Sequence, residues 1–304
     1  ILNPGPTIVT EKYFENTLCM TFNCSLWQDN SMSVKRFAFA RFSEVTEQCF
    51  LLFTLILLMF LASLTGNALI ATAIWTNPVL HTPMYFFLAN LSLLEIGYTC
   101  SVIPKMLQSL VSEARGISRE ECATQMFFFT LFAISEFCLL AAMAFDRYMA
   151  ICSPLHYATR MSRGVCVHLA MVSWGVGCMT TSSVTSPHPV FAVAILCISS
   201  PFLLIASYGR ILTVVLSMPS PKGRRKALST CSSHLLVVTL FYGSGSVTYL
   251  RPKASHSPGI DKLLALFYTV VTSMLNPIIY SLWNKEVKAA LRRTLDKKKV
   301  LTHR

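Results

Sequence analysis

Seven stretches of the chain are almost free of charge, and short polar segments rich in Pro, Arg and Lys separate them. Cys49 to Trp75 holds no charged residue, Met84 to Pro104 holds only Glu95, and Cys122 to Phe145 holds only Glu136. Gly164 to Pro187, Pro189 to Gly209, Ala227 to Leu250 and Leu263 to Asn284 hold none. A helix that spans a bilayer needs about 20 mostly apolar residues. Each run meets that length, and soluble core helices seldom do so uncharged. In lipid the backbone polar groups must be satisfied within the segment, so these runs predict helices rather than strands. The expected architecture is an all-α membrane protein: a tail over 1–48, a seven-helix bundle over 49–284, and a terminal segment over 285–304. The spans fall at about 49–75, 84–107, 122–148, 164–183, 189–217, 227–250 and 262–283.

Composition sharpens this picture. Of the 304 residues, 53% are hydrophobic and 13% charged, with a mean hydropathy of +0.54. An average soluble domain carries about 25% charge. The net charge of +12 has a directional meaning. Sixteen of the 26 basic residues follow spans three, five and seven, including Arg147, Arg210, the Lys222–Lys226 stretch and Lys285 to Arg304. The other ten share their side with nine acidic residues. The positive-inside rule therefore puts the basic set in the cytoplasm and the N-terminus outside. The sequon Asn23-Cys24-Ser25 then lies outside, where glycosylation takes place. A second sequon, at Asn90, lies within a span. Nucleic-acid binding is a poor account of the basic residues, most of which serve orientation. No signal-peptide pattern opens the chain, and span one can serve as its own anchor.

Ionisable groups inside spans are costly and mark functional candidates. Glu95 lies mid-way along span two and Glu136 mid-way along span three. Asn67 lies in span one, and Asn276 precedes Pro277 in span seven. A bundle that brings these two carboxylates and two amides together makes a polar centre in apolar surroundings, and the carboxylates then need either protons or a hard cation with oxygen ligands. Sodium at Glu95, Glu136 and Asn276 is one such arrangement; a proton-sharing pair that glues helices together is the other. At the end of span three, Asp146 and Arg147 are neighbours where the helix leaves the membrane, placed to pair at rest.

Six motifs on this scaffold resemble the rhodopsin-like G-protein-coupled receptors and, within them, the olfactory receptors. They are Gly66-Asn67 in span one, Pro83 to Ser92 opening span two, and Met143 to Cys152 followed by Pro154-Leu155-His156-Tyr157. Ser207-Tyr208 in span five, Lys226 to His234 opening span six, and Asn276-Pro277-Ile278-Ile279-Tyr280 in span seven complete the set. The resemblance runs from Phe42 onward. It implies a plasma-membrane receptor for small volatile odorants that activates a heterotrimeric stimulatory G protein. By matching position it implies a ligand site lined by Phe129, Thr130, Ala133 and Ile134, which share one helical face, with Tyr242, Ser246, Tyr249 and Thr269. It also implies a coupling switch of Asp146, Arg147, Tyr148, Tyr208, Asn276, Pro277 and Tyr280. Ligand binding would shift the bundle towards a form in which span six swings outward. The basic stretches would face the G protein and anionic lipid, and Lys285 to Leu295 reads as a short amphipathic helix on the membrane.

Three departures stand out. Trp283 occupies a position where the family usually has Arg. The family's long outer loop after span four, with its cysteines, is reduced here to about Thr181 to Pro189, so Cys122 lacks its expected disulfide partner; Cys19 and Cys24 are substitutes, and a free thiol is the alternative. The chain opens on Ile1, and its first forty-odd residues exceed the family's usual outer tail. These features raise a second expectation: a receptor-fold protein retained in the endoplasmic reticulum, the product of a pseudogene, an incomplete gene model or an internal deletion. A transporter that uses the two carboxylates is a third reading, but the repeated halves with broken helices common in transporters are missing. An enzyme is not expected, since the chain has neither an H-E-x-x-H pair nor a phosphate loop.

Overall fold

The computed structural model describes residues 24–26, 36–39, 46–111, 116–182, 204–249, 270–283, 287–290 and 292–293. Seven principal helices account for most of them: α1 (Thr46–Thr76), α2 (Pro83–Val111), α3 (Arg119–Cys152), α4 (Arg163–Ser182), α5 (Leu204–Ser217), α6 (Pro221–Tyr249) and α7 (Thr272–Trp283). Within α1 to α4, the segments Phe50–Thr76, Pro83–Gln108, Ala123–Cys152 and Arg163–Thr181 are long and apolar enough to cross a membrane. The protein is an all-α membrane protein at its centre. Proline opens α2 and α6, where its missing N–H is one of the orphan donors of a helix start. A short turn at Pro78–Leu80 joins α1 to α2. A turn at Pro154–His156 and a single helical turn, Tyr157–Arg160, join α3 to α4.

A small antiparallel sheet adds strands that the apolar runs do not predict. Strand β2 (Arg36–Phe39) lies between β1 (Cys24–Leu26) and β3 (Gly116–Ser118). Cys24 pairs with Phe39, and Arg36 pairs with Ser118. β2 precedes α1 and β3 follows α2, so two helices separate the paired strands. Pairing puts both strands on one side of any membrane that α1 and α2 cross.

The packing is that of a lipid-embedded bundle. Phe50, Leu51, Leu55, Leu58 and Leu61 of α1 point outward and are exposed. The core lies inside, where Phe87, Leu91 and Leu94 of α2 meet Leu139, Leu140 and Met143 of α3, Val237 and Phe241 of α6, and Ile279 of α7. Lipid is as apolar as leucine, so close fit rather than water exclusion holds such helices together. Small residues permit that fit. Gly177 of α4 lies against Ser135 and the Leu131 carbonyl of α3, and Gly97 of α2 lies against the Phe132 ring.

Candidate functional site

The polar centre begins with a proline. Pro277 has no N–H, so the carbonyl of Ser273, four residues earlier in α7, loses its helical donor. That carbonyl is buried and must find another partner. It accepts from Ser63 Oγ of α1 at 3.2 Å and lies 3.5 Å from Asn67 Nδ2. Asn67 is held in place by donating to the Ser63 carbonyl at 3.0 Å. The interruption in α7 thus becomes a hydrogen-bonded seam between α1 and α7.

One residue away, Asn276 Nδ2 donates to Glu95 Oε1. Glu95 of α2 also faces Ser273 and Glu136 of α3. Both carboxyls are buried, with relative exposures of 2% and 3%. Glu95 Oε2 and Glu136 Oε1 have no hydrogen-bond partner among the described residues. Two facing carboxylates with unpaired oxygens cannot both remain charged in such surroundings. Either a proton lies between them or a hard cation does. The available donors are all oxygen ligands, which suits an alkali ion. No cluster of three Asp, Glu, His or Cys residues occurs among the described residues, so the set does not suit a transition metal.

The second constellation lies at the far end of α3. Arg147 donates through Nε to Asp146 Oδ2 at 2.9 Å, and its Nη2 bonds the same oxygen. The other carboxylate oxygen accepts from the Tyr157 hydroxyl at 2.7 Å. Asp146 is fully buried and Arg147 nearly so. Burial, and next the Asp146 charge, push the Tyr157 phenol above the usual tyrosine range. Nearby, the Tyr208 hydroxyl of α5 is hydrogen-bonded to Nδ1 of His234 in α6, with the two rings stacked at 5.9 Å. His234 is buried and feels the Arg147 charge. Tyr148 packs against Ile211 and Val215 of α5 and Cys231 of α6.

The third constellation is the expected ligand face. Phe129 is buried against the Tyr98 ring of α2, with centroids 5.3 Å apart. Ala133 and Ile134 are buried and Thr130 is half-buried. Tyr242 of α6 meets Phe137 of α3 edge-on at 5.1 Å. Phe129, Ala133 and Tyr242 therefore belong to one packed cluster that spans α3 and α6. Ser246 and Tyr249 lie on α6 and Tyr280 on α7, but their side chains are outside the described residues, as are Thr269 and Asn23. Cys122 lies in the first turns of α3, and its side chain is likewise outside them.

The geometry combines a polar core, a closed Asp–Arg pair at one end and an aromatic cluster nearer the other. A family model described as "Olfactory receptor" matches residues 56–184 and 178–298. This chain belongs to the olfactory receptor family. Human olfactory receptor 10C1 is 44% identical over 303 residues, covering 88% of this chain and 97% of the relative. Human olfactory receptor 10A5 is 46% identical over 304 residues, covering 88% and 96%. Mouse olfactory receptor 2V1 is 39% identical over 306 residues, covering 89% and 97%. The chain is thus a multi-pass seven-helix receptor and not an enzyme. Its family match comes in two pieces, 56–184 and 178–298, that overlap at the end of α4.

Tyr157 and His234 fall within the family motifs, but the sequence does not show their partners in this olfactory receptor's site. Tyr157 lies eleven positions beyond Asp146, across Pro154, and only the fold turns it back. His234 sits on a run of apolar and hydroxyl residues. The part played by Ser273 follows from Pro277 four residues later, a spacing that does signal an orphaned carbonyl.

Proposed function

We infer that the chain is an odorant receptor for small, mostly apolar volatile molecules that activates a stimulatory G protein. The odorant occupies the bundle beside Phe129, Thr130, Ala133 and Ile134 of α3, with Tyr242, Ser246 and Tyr249 of α6 and Thr269. Aromatic and aliphatic walls with a few hydroxyls suit such a ligand. The observation that carries the reading is the closed Asp146–Arg147 pair, capped by Tyr157 and flanked by Tyr208 on α5 and His234 on α6. An odorant that binds the open bundle better draws the population towards it. α6 then swings away, Arg147 leaves Asp146, and a cleft opens for the G protein. The Lys222–Lys226 stretch faces that partner and anionic lipid, with the N-terminus outside the plasma membrane. Sodium held by Glu95, Glu136 and Asn276 would favour the closed form by bracing α2, α3 and α7.

The test is a cyclic-AMP assay with an odorant panel in cells. A response lost in Arg147→Ala at equal surface expression supports the reading. Silence across a broad panel, from a receptor that does reach the surface, overturns it.

One observation favours a second reading. The family model matches in two pieces that overlap at 178–184, at the end of α4, and from the sequence we read the outer loop that follows as reduced to about Thr181 to Pro189. A receptor whose outer loop is reduced in this way is retained inside the cell. Surface labelling of an epitope at the N-terminus separates the two readings, and insertion of a full-length loop with its cysteines restores trafficking if the loop is the cause.

A further inference from the structure

Cys152 closes α3, and Cys231 lies near the start of α6. Cys231 belongs to a small buried cluster with Ile211 and Val215 of α5. Cys152, Ile151 and Tyr148 of α3 pack against that same cluster. The two thiols are close enough to feel one another's charge, and Arg147 and Arg210 supply positive charge beside them. Their environments differ. Cys231 is 5% exposed, whereas Cys152 is half-buried and open to small reagents. Both are free thiols in this state.

We propose that Cys152 and Cys231 form a redox lock: peroxide joins them in a disulfide that clamps α6 to α3 and holds the receptor closed. The chemistry starts at the more accessible sulfur. The Cys152 thiolate attacks one oxygen of hydrogen peroxide, the O–O bond breaks, and hydroxide leaves to become water, giving a sulfenic acid. The Cys231 thiolate then attacks that sulfur, the S–O bond breaks, and a second water departs. The net change is two thiols and one peroxide to one disulfide and two waters. Both sulfurs are oxidised and both peroxide oxygens are reduced. The thiolate is the reacting form of each sulfur. A reducing thiol, such as glutathione, returns the pair to the free state.

The placement gives the bond its effect. A disulfide holds two Cα atoms within about 7 Å. Helix axes that must part for a G protein to enter cannot do so while tethered at that end. This consequence rests on the outward swing of α6 proposed above. The disulfide itself rests only on the shared packing of the two residues.

The experiment uses the full-length receptor in membranes, treated with hydrogen peroxide and then with dithiothreitol. Differential alkylation and mass spectrometry report whether the Cys152 and Cys231 peptides become linked. The expected result is a linkage formed by peroxide and removed by dithiothreitol, with odorant-driven G-protein activation falling at least several-fold and recovering in step. Cys152→Ser and Cys231→Ser receptors, and Cys152→Ala should serine disturb the packing, are expected to keep their response under peroxide. Absence of the linkage in a receptor at the surface overturns the proposal, whatever its signalling does. Linkage with undiminished signalling overturns the locking effect and, with it, the outward swing of α6. A receptor silent even before peroxide, yet linked by it, fails the odorant reading alone.

Discussion

Gly66 of α1 lies so close to Pro277 of α7 that a Cβ atom built on it would sit 2.9 Å from two carbons of the proline ring. The contact lies next to the seam in which Ser63 and Asn67 serve the Ser273 carbonyl. One proline therefore sets two demands on α1: a donor for the carbonyl it orphans and an empty place for its ring. Gly66→Ala is expected to push α1 off α7 and to cost about 1–3 kcal/mol, the usual range for overpacking. A thermal-unfolding midpoint of the detergent-solubilised receptor below that of the wild type checks this.

Asp146→Asn should raise ligand-independent signalling. The substitution removes the charge that holds Arg147, and a hydrogen bond to a charged group contributes about 1.5–3 kcal/mol. Basal cyclic AMP is expected to rise several-fold at matched surface expression. Tyr157→Phe removes one bond to the same carboxylate and should raise basal signalling less.

Tyr157 also predicts a pH response. Its phenol is raised above the ordinary value, near 10 for a free tyrosine. The protonated form is the one the folded state favours. The stability it adds is fully present below the unfolded value and is lost as pH climbs through the higher folded one. Phenolate absorbance of the wild type minus that of Tyr157→Phe should therefore appear at higher pH than for free tyrosine. A difference curve at the ordinary value would mean that neither the burial of the phenol nor its Asp146 contact persists in solution.

Glu136→Gln tests the polar centre. The amide removes one of the two facing charges and its need for a proton or cation. If sodium occupies the pair, added sodium should lower basal signalling in the wild type and lose most of that effect in the variant. If a proton is shared instead, sodium should act equally weakly on both.

Phe129→Ala deletes a ring that packs at a tilt against Tyr98 within the proposed odorant face. Odorant potency should fall at least tenfold, while surface expression falls less. Leu139→Ala, in the core but away from that face, should reverse the order of the two losses.

Much of this fold is written in the spacing of its charges. The helices stand out because lipid demands long uncharged runs, and Glu95, Glu136 and Asn276 stand out as exceptions within them. The structure gathers those three at one point because α2, α3 and α7 pass one another there. Contacts between distant segments are less legible. Nothing local ties Tyr208 to His234 or turns Tyr157 towards Asp146. The β1–β2–β3 sheet is less legible still. Its strands are three or four residues long, and so short a run of alternation carries little signal.

That sheet also constrains the order of events when the chain is made. β2 emerges before α1, but its partner β3 exists only after α2 has been synthesised and has crossed back. Until then the hairpin has an open edge, and a hairpin alone is marginal in water. Closing β2 onto β3 fastens α1 and α2 into a ring at their shared end. The first helical pair is thus completed by the segment that precedes it, and removing either strand should leave that pair assembled but unfastened while the remaining five spans are still to come.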